Sequence, residues 1–371
     1  NGILPIIELV SKGTLETQEF AARTLWHLAG TAESGTAIAE AGGMPPLVSM
    51  LSADNVHAQE LAAVVIARLL RSHESVSLIV ADVGGIVPLV RLMKSGSTAA
   101  QQQAASALTE VGKAPENRNA IAEAGGIQPI VDLLTSTVVG TPESAARALA
   151  NLARDHRVLG DDSGAPPDED QEGATADEPA EKPGASRRRM ILQAGGVQRL
   201  VQMLWSVPNK NMSKKTWELV ASVIGADLTD GEAPSPPKEG HGDGNDEVLD
   251  TPEQAAATIA DLVYGDEDMQ DAVIDAKGVP PLLRLMRNSS SSTAARAVWH
   301  LCAANHNQGV IVECGAITDL VTLSKTGSAR AQELAAAVIS DLAKGAIVER
   351  ELAMKAKEAA KAAEGTSGSP S

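Results

Sequence analysis

One phrase recurs along this chain of 371 residues, first at intervals of 41 or 42 and later at 70, 82 and 37, and it constrains the fold more than any other feature. The phrase is a glycine pair followed by aliphatic residues and proline. Its clear copies begin at Gly42, Gly84, Gly125 and Gly195, and weaker copies begin at Gly2, Gly278 and Gly315. Self-similarity at this period indicates one helical unit repeated along the chain, each copy packing on its neighbours as a solenoid.

A second phrase, Ala-Ala-x-x-aliphatic-x-polar-Leu, follows the early glycine pairs by about 25 residues. Its clearest copy runs from Ala145 to Leu152. The polar position recurs eight times, at His27, Arg68, Glu110, Asn151, Asp227, Asp261, His300 and Asp341. Eight copies of this phrase against seven glycine phrases predict one degenerate repeat that keeps only its last helix, near residue 251.

Each unit is predicted to contain three helices. In the clearest unit these are a short helix over 115–124, a second over 126–134 and a longer third over 141–154. The glycine pair permits the sharp reversal between the first two, because glycine adopts positive φ without strain. Thr141 followed by Pro142 predicts an N-cap and a proline at the first helical position of the third helix, and Thr251 followed by Pro252 repeats this signal.

These phrases, this period and three helices per unit resemble the armadillo-repeat family. The resemblance covers nearly the whole chain apart from two inserts and the tail. It implies an all-α, right-handed superhelix of seven to eight repeats, as in β-catenin, importin-α and the vacuolar armadillo adaptor of yeast. In that family the third helices line a concave groove that holds extended peptides of other proteins.

The predicted organisation alternates repeats with inserts. Repeats cover 1–154, 187–228 and 251–344, an acidic insert covers 155–186, an acidic loop covers 229–250, and a capping helix with a tail covers 345–371. The first repeat begins at Gly2 without a first helix, so we expect a capping segment before Asn1.

The negative charge is concentrated in the two inserts. The formal net charge is −17, from 31 Lys and Arg against 48 Asp and Glu. Residues 155–186 hold ten acidic residues against two basic ones before Arg187, and 229–250 hold seven against Lys238. Both inserts are rich in Pro, Gly and Ala and poor in large apolar residues, which predicts disorder. They are interpreted as tolerated loop expansions, or alternatively as acidic arms that fold back over a basic groove or dock basic partners.

The resemblance places partner recognition on third-helix positions four residues apart, which share one helix face. In importin-like members a Trp precedes the groove Asn by four residues; here that Trp is absent from every unit, and only Asn151 matches the Asn. We call the predicted binding positions the polar ladder: Arg23, His27, Arg68, Glu110, Arg147, Asn151, Asp227, Asp261, Arg296, His300 and Asp341. Its early members are mainly basic and its late members mainly acidic, which would orient a peptide of opposite polarity. The alternative interpretation is a row of solvated side chains contributing at most about 1 kcal/mol each.

Two further features have two interpretations each. Trp26 and Trp299 precede ladder histidines and either border the groove or, as we favour, pack between third helices. The run Arg187-Arg188-Arg189 has the composition of a nuclear localisation signal, but three basic residues at a helix start more often form a solvated face that balances the acidic insert.

Catalytic and metal-binding chemistry is not predicted. His300, Cys302, His306 and Cys314 have residue types that bind zinc, but the repeat register puts both cysteines where other repeats have Ala or Gly. The sequence contains no nucleophile elbow, phosphate-binding loop or zinc-protease motif. The chain is therefore predicted to be no enzyme and to need no cofactor.

The compartment and the partner class follow from composition. Two cysteines cannot form a disulfide framework, and no run of about 18 uncharged apolar residues predicts a membrane span. These features predict a reducing compartment, the cytoplasm or the nucleus. The acidic balance argues against nucleic acid as the main partner.

The predicted function is a non-catalytic scaffold or adaptor that binds an extended segment of another protein in its groove. Three alternatives stay open: the substrate-binding part of a ubiquitin ligase whose U-box lies outside this chain, an importin-like transport adaptor, and a structural component of a cytoskeletal or ciliary assembly. The sequence does not settle the oligomeric state.

Overall fold

The computed structural model describes residues 2–72, 76–154, 184–205, 251–289 and 291–345, and all secondary structure in these ranges is helical. The first four repeats comprise the helices Ile3–Lys12, Leu15–Leu28, Ala32–Glu40, Met44–Met50, Val56–Ser72, Val76–Asp82, Ile86–Ser95, Thr98–Val111, Pro115–Glu123, Ile127–Leu133 and Thr141–Ala153. The later helices are Ala185–Gln193, Gly196–Trp205, Thr251–Val263, Glu267–Asp275, Val279–Ser289, Ser292–Leu301, Asn305–Glu313, Ala316–Thr326 and residues 329–345.

The helix pattern predicted for the clearest unit is confirmed to within one or two residues at each end. One detail differs at the third helix. Thr141 is its first helical residue and Gly140 is the N-cap, with a left-handed φ of 82°. The prediction placed the N-cap at Thr141, but the Thr141 side chain is only 1% exposed and belongs to the packed first turn.

The glycine pair has two separate tasks, which Gly125 and Gly126 illustrate. Gly125 has a φ of 72°, a left-handed conformation that ends the first helix. A Cβ atom at Gly126 would lie 2.9 Å from both the carbonyl oxygen and a methyl carbon of Ile121. The first glycine is therefore required by backbone conformation, and the second by the close approach of the first helix.

The positive φ identifies the equivalent residue in later repeats. Lys277 occupies this position with a φ of 59°, and Gly315 occupies it with a φ of 84°. Gly315 thus corresponds to Gly125, the first glycine of the pair, and Ala316 replaces the second. This corrects the predicted register by one residue, so that Cys314 corresponds to Ala124 rather than to a glycine.

Contacts divide the chain into two units. Among the described residues, unit 1 contains those up to Met203 together with 251–262, and unit 2 contains 204–205 and 263–345. In unit 1 the third helices meet through small side chains, such as the fully buried Ala104, Ala105, Ala145 and Ala146. Alanine at these contacts lets helix axes approach closely, which explains how a core with 2% aromatic residues is filled.

The third helices of unit 1 contact one another in series, and the last contact was not predicted. The Thr258 hydroxyl donates to the carbonyl oxygen of Ala146 at 3.0 Å, and Arg154 pairs with Asp261 at 3.1 Å. Helix Thr251–Val263 therefore lies directly beside helix Thr141–Ala153. This departs from the predicted order, in which a helix carrying Asp227 separates them; Asp227 lies outside the described residues.

The two acidic inserts lie almost entirely outside the described residues, as does the predicted capping segment after residue 345. One boundary of the first insert is corrected. The insert was predicted to extend to residue 186, but helix Ala185–Gln193 already begins at Ala185, after Gly184 with a φ of 96°.

Candidate binding surface

The polar ladder is unevenly exposed. Arg23 and His27 are exposed, and Asn151 is buried. The other described members are partly buried: Arg68, Glu110, Arg147, Asp261, Arg296, His300 and Asp341. The structure thus gives the ladder two roles, packing between third helices and exposure of charge.

Asn151, the single match to the family asparagine, packs inside unit 1. Its side chain is 5% exposed, and its Nδ2 donates to the carbonyl oxygen of Thr109 on the preceding third helix at 2.9 Å. The Thr109 hydroxyl in turn donates to the carbonyl oxygen of Ser144 at 3.0 Å. In this structure the Asn151 amide joins neighbouring helices instead of facing a groove.

Arg68 is held by an aromatic contact to the preceding third helix. Its guanidinium carbon lies 4.9 Å from the ring centroid of Trp26, a cation–π distance. His27 packs edge-on against the same indole at 4.7 Å. On another side, a Cβ atom at Gly30 would come within 2.9 Å of Arg68 Nη2, so glycine leaves room for the guanidinium. This places Trp26 in packing between third helices, the interpretation favoured from the sequence.

A set of basic residues three positions beyond the ladder was missed in the sequence. Arg71, Lys113 and Arg154 follow the ladder positions Arg68, Glu110 and Asn151 at that spacing, and all three are exposed. We call them the basic row. Each lies at the C-terminal end of a third helix, where the helix dipole favours a cation. The recurring basic residue at a fixed offset was the signal that could have found it.

The anions beside the basic row are largely covered by protein. Glu110 is 11% exposed and pairs with Lys113 at 2.6 Å, while Lys113 itself is 51% exposed. Asp261 is 13% exposed and pairs with Arg154, which is 53% exposed. Arg71 donates to the Ser106 hydroxyl at 2.9 Å. The exposed ends of this surface are therefore cationic, although carboxylates lie directly behind two of them.

Buried arginines hold the end of helix Thr141–Ala153. Arg187 donates from Nε to the Leu152 carbonyl at 2.7 Å and from Nη2 to the Arg154 carbonyl at 3.0 Å. Arg188 donates to the Ala153 carbonyl at 2.9 Å, and Arg118 donates to the Arg154 carbonyl at 2.9 Å. Such donors satisfy carbonyl groups that a helix end leaves without intrahelical partners.

This burial corrects the interpretation of the arginine run as a solvated face. Arg187 is 7% exposed and Arg188 is 3% exposed; only Arg189 is exposed. The two buried side chains serve the carbonyl groups of a helix that precedes them by more than thirty residues.

In unit 2 the ladder forms an aromatic cluster. The His300 ring stacks on Trp299 with centroids 5.1 Å apart and meets Tyr264 edge-on at 4.9 Å. The Trp299 indole donates to Asp341 at 3.2 Å. Burial, helped by the nearby Arg296 charge, lowers the pKa of His300 to about 4. His300 is therefore neutral at pH 7, and its contribution to the ladder is packing against Trp299 and Tyr264 rather than charge.

The cysteines lie in surroundings that keep them protonated. Burial, with a smaller contribution from Asp341, raises the pKa of Cys302 to about 12. Burial also raises the pKa of the partly buried Cys314. Within the described residues, which include His300, Cys302, His306 and Cys314, no group of three or more potential ligands is arranged to hold a metal ion.

Among the described helices, none alone is long and apolar enough to cross a membrane. The adjoining helices Val76–Asp82 and Ile86–Ser95 together reach the required length and composition, but they are bent by 85° relative to each other.

Comparison with known proteins agrees with the repeat geometry. The model of the armadillo/β-catenin-like repeat matches residues 72–111, 114–154 and 266–302. The chain contains armadillo repeats. The first two matches are the armadillo repeats of unit 1 that end in the helices carrying Glu110 and Asn151, and the third is the armadillo repeat of unit 2 that carries His300. No curated protein sequence matches the chain.

Solved structures similar to this chain include engineered and designed proteins. One engineered protein is 27% identical with a TM-score of 0.57, over 81% of this chain and 96% of its own. A designed armadillo repeat protein in complex with the peptide (KR)4 is 18% identical with a TM-score of 0.56, over 81% of this chain and 100% of its own. Computationally designed armadillo repeat proteins for modular peptide recognition are 18% identical with a TM-score of 0.56, over 80% of this chain and 96% of theirs. These matches confirm the all-α armadillo solenoid.

Proposed function

We propose that this chain is a non-catalytic scaffold that binds an acidic, extended segment of another protein along the third helices of unit 1. The armadillo fold supports the general part of this proposal, because armadillo repeats commonly bind peptide segments of other proteins. The basic row supports the specific part, since Arg71, Lys113 and Arg154 are exposed while Glu110 and Asp261 are covered.

Exposure decides the sign of the surface that a partner meets. If every charge in unit 1 counted equally, the anions beside the cations would cancel most of the attraction for an acidic partner. The carboxylates of Glu110 and Asp261 lie behind the cations, so an approaching chain meets ammonium and guanidinium groups first. The guanidinium group of arginine has a planar arrangement of donors that fits a carboxylate. This favours Arg71 and Arg154 as the main contacts of the partner's carboxylates.

The designed relative bound to (KR)4 provides a contrast. That protein binds a peptide of alternating lysine and arginine. On the present chain the basic row would repel such a peptide, so the proposed partner carries Asp, Glu or phosphorylated side chains instead. Between helix neighbours about 8–10 Å apart, an extended segment runs across the row and meets the three cations in turn.

Fluorescence anisotropy with labelled decapeptides tests this function. The probes alternate Ser with Glu, with Lys or with Gln, and the expected order of affinity places the Glu probe first. The triple variant Arg71→Gln, Lys113→Gln, Arg154→Gln should weaken binding of the Glu probe by about tenfold, since exposed charge pairs contribute up to about 1 kcal/mol each.

A charge-matched control separates the row from net charge. Lys12, Arg91 and Lys94 are exposed cations on second helices, and changing all three to Gln removes the same charge. This control should bind the Glu probe within twofold of the unchanged chain, because the three cations lie on second helices and not on the basic row. Equal weakening in both triple variants, or tighter binding of an oligonucleotide than of any peptide, would overturn the proposal.

A further inference from the structure

We propose that residues 155–183 of this chain bind the basic row themselves and compete with the partner segment. This inference rests on the proposed function of the row. Residues 155–183 lie outside the described residues, and the described surface at both of their ends carries the case.

The first observation is the place where this segment leaves the repeats. It begins directly after Arg154, the last member of the basic row. It returns at Gly184, and the next helix then supplies Arg187 and Arg188, which donate to the carbonyl oxygens of Arg154 and Ala153. These hydrogen bonds hold residues 187 and 188 beside residues 153 and 154. Both ends of the segment are therefore fixed next to the basic row.

The second observation is charge. The segment contains ten Asp and Glu residues and only two basic residues, Arg157 and Lys182. The densest group is Asp168, Glu169, Asp170 and Glu172. An acidic chain with this composition has the chemistry that the exposed ends of Arg71, Lys113 and Arg154 would attract.

The third step is reach. Arg71 and Arg154 belong to third helices separated by one intervening helix, so about 20 Å lies between them at ordinary helix spacing. The segment has 29 residues, and half of it spans up to about 45 Å when extended. The acidic group from Asp168 to Glu172 lies near its middle, and thus within reach of the whole row.

Tethering makes even weak attraction effective. A segment joined to its site by a short tether has a local concentration of about 1 mM. With an intrinsic dissociation constant of about 0.1 mM, such a segment would weaken the binding of an outside peptide by about tenfold. The partner would then have to displace the chain's own acidic segment.

The test compares two variants that differ only in which acidic segment is neutralised. The first carries Asp168→Asn, Glu169→Gln, Asp170→Asn and Glu172→Gln. The second is the matched control, with Asp230→Asn, Glu232→Gln, Glu239→Gln and Asp243→Asn in the other acidic segment. Both variants have four fewer negative charges, and circular dichroism should show the same helicity and melting curve for both.

The Glu–Ser decapeptide probe gives the readout. The first variant should bind it about tenfold more tightly than the unchanged chain, and the control within twofold. A synthetic peptide of residues 160–178 should displace the probe from the first variant, and its displacement should weaken as salt is added.

The outcomes separate this inference from the proposed function. If the unchanged chain and the first variant bind the probe equally, and the triple row variant binds it weakly, the row is a binding site and the inference is wrong. If the control tightens as much as the first variant, net charge explains the effect and the inference is again wrong. If no variant binds the probe, the proposed function fails and this inference fails with it.

Discussion

The guanidinium of Arg68 lies 4.9 Å from the indole of Trp26, although 42 residues separate them in the chain. A separation of 42 residues corresponds to one repeat, so the contact joins the third helices of two neighbouring repeats. In unit 2 Trp299 makes the corresponding contact with Asp341, again 42 residues later, through a hydrogen bond of 3.2 Å. A tryptophan at this position thus orients the ladder residue of the following repeat, whether that residue is a cation or a carboxylate.

Replacing Trp26 should therefore lower stability through Arg68. Trp26→Leu loses both the cation–π contact and aromatic area, and we expect a loss of about 1–2 kcal/mol in the free energy of unfolding. Trp26→Phe keeps a ring face for the guanidinium and should lose less. Urea titration followed by circular dichroism measures both, and equal losses in the two variants would contradict a role for the ring.

Asn151 should act on stability and not on recognition. Asn151→Ala removes the hydrogen bond to the Thr109 carbonyl and leaves that buried oxygen without this donor, so we expect a loss of about 1–2 kcal/mol. The affinity for the Glu–Ser probe should stay within twofold of the unchanged chain, since a buried side chain does not meet it. A fully stable variant that no longer bound the probe would show that Asn151 contacts the ligand.

Lys277 offers a stabilising change. It adopts a φ of 59° at a position where five other repeats have glycine, and a residue with a Cβ atom loses about 1–2 kcal/mol in this conformation. Lys277→Gly should raise the free energy of unfolding by about 0.5–1 kcal/mol, after the greater freedom of glycine in the unfolded chain is subtracted.

The control for Lys277 is alanine. Lys277→Ala removes the same charge but keeps the Cβ atom, so it should show no comparable gain. Thermal melting of the two variants side by side distinguishes backbone conformation from charge, and a gain in the alanine variant would favour charge.

His300 should make stability depend on pH. Its pKa in the folded protein is about 4, below the value of about 6.5 expected for an unfolded chain. The unfolded state therefore takes up the proton first, so this stabilising contribution is complete above about pH 6.5 and is lost as the pH falls toward 4. The loss should approach about 3 kcal/mol, from a pKa difference of about 2.5 units.

A non-titrating variant isolates this effect. His300→Gln should flatten the dependence of the urea midpoint on pH between 6.5 and 4, since no proton can bind at that position. A His57→Gln variant is the matched control, because His57 is exposed and packs at the start of a third helix. An unchanged slope in the His300 variant would assign the dependence to other groups.

The sequence predicts the repeat and its helices because those signals are local and recur. Glycine pairs, prolines and alanine-rich phrases come back at each period, so a helix boundary such as Pro115 or Thr141 is supported several times over. The one register error, at Gly315, arose where a single glycine replaces the pair. There the left-handed φ of Gly315, and not the sequence, shows that it corresponds to the first glycine of the pair.

The candidate surface was only partly predictable, for a different reason. The period of the repeat identifies the polar ladder positions, but the exposure of each side chain depends on the residues that pack against it from other repeats. Asn151 is buried by a carbonyl of the preceding repeat, and Arg187 by carbonyls more than thirty residues earlier. The sequence also gives no sign that Asp261 meets Arg154, because repeat order suggests that another helix lies between them.

The contact between helices Thr141–Ala153 and Thr251–Val263 affects how this protein should be divided for expression. Period counting would end a shortened fragment after residue 154, where the fourth repeat is complete. Such a fragment would lack Thr258 and Asp261, which contact the Thr141–Ala153 helix and the adjoining Arg154. The apolar side of that helix would then be exposed to water and prone to aggregation. The safe place to cut lies after residue 263, whatever length of chain must be kept to reach it.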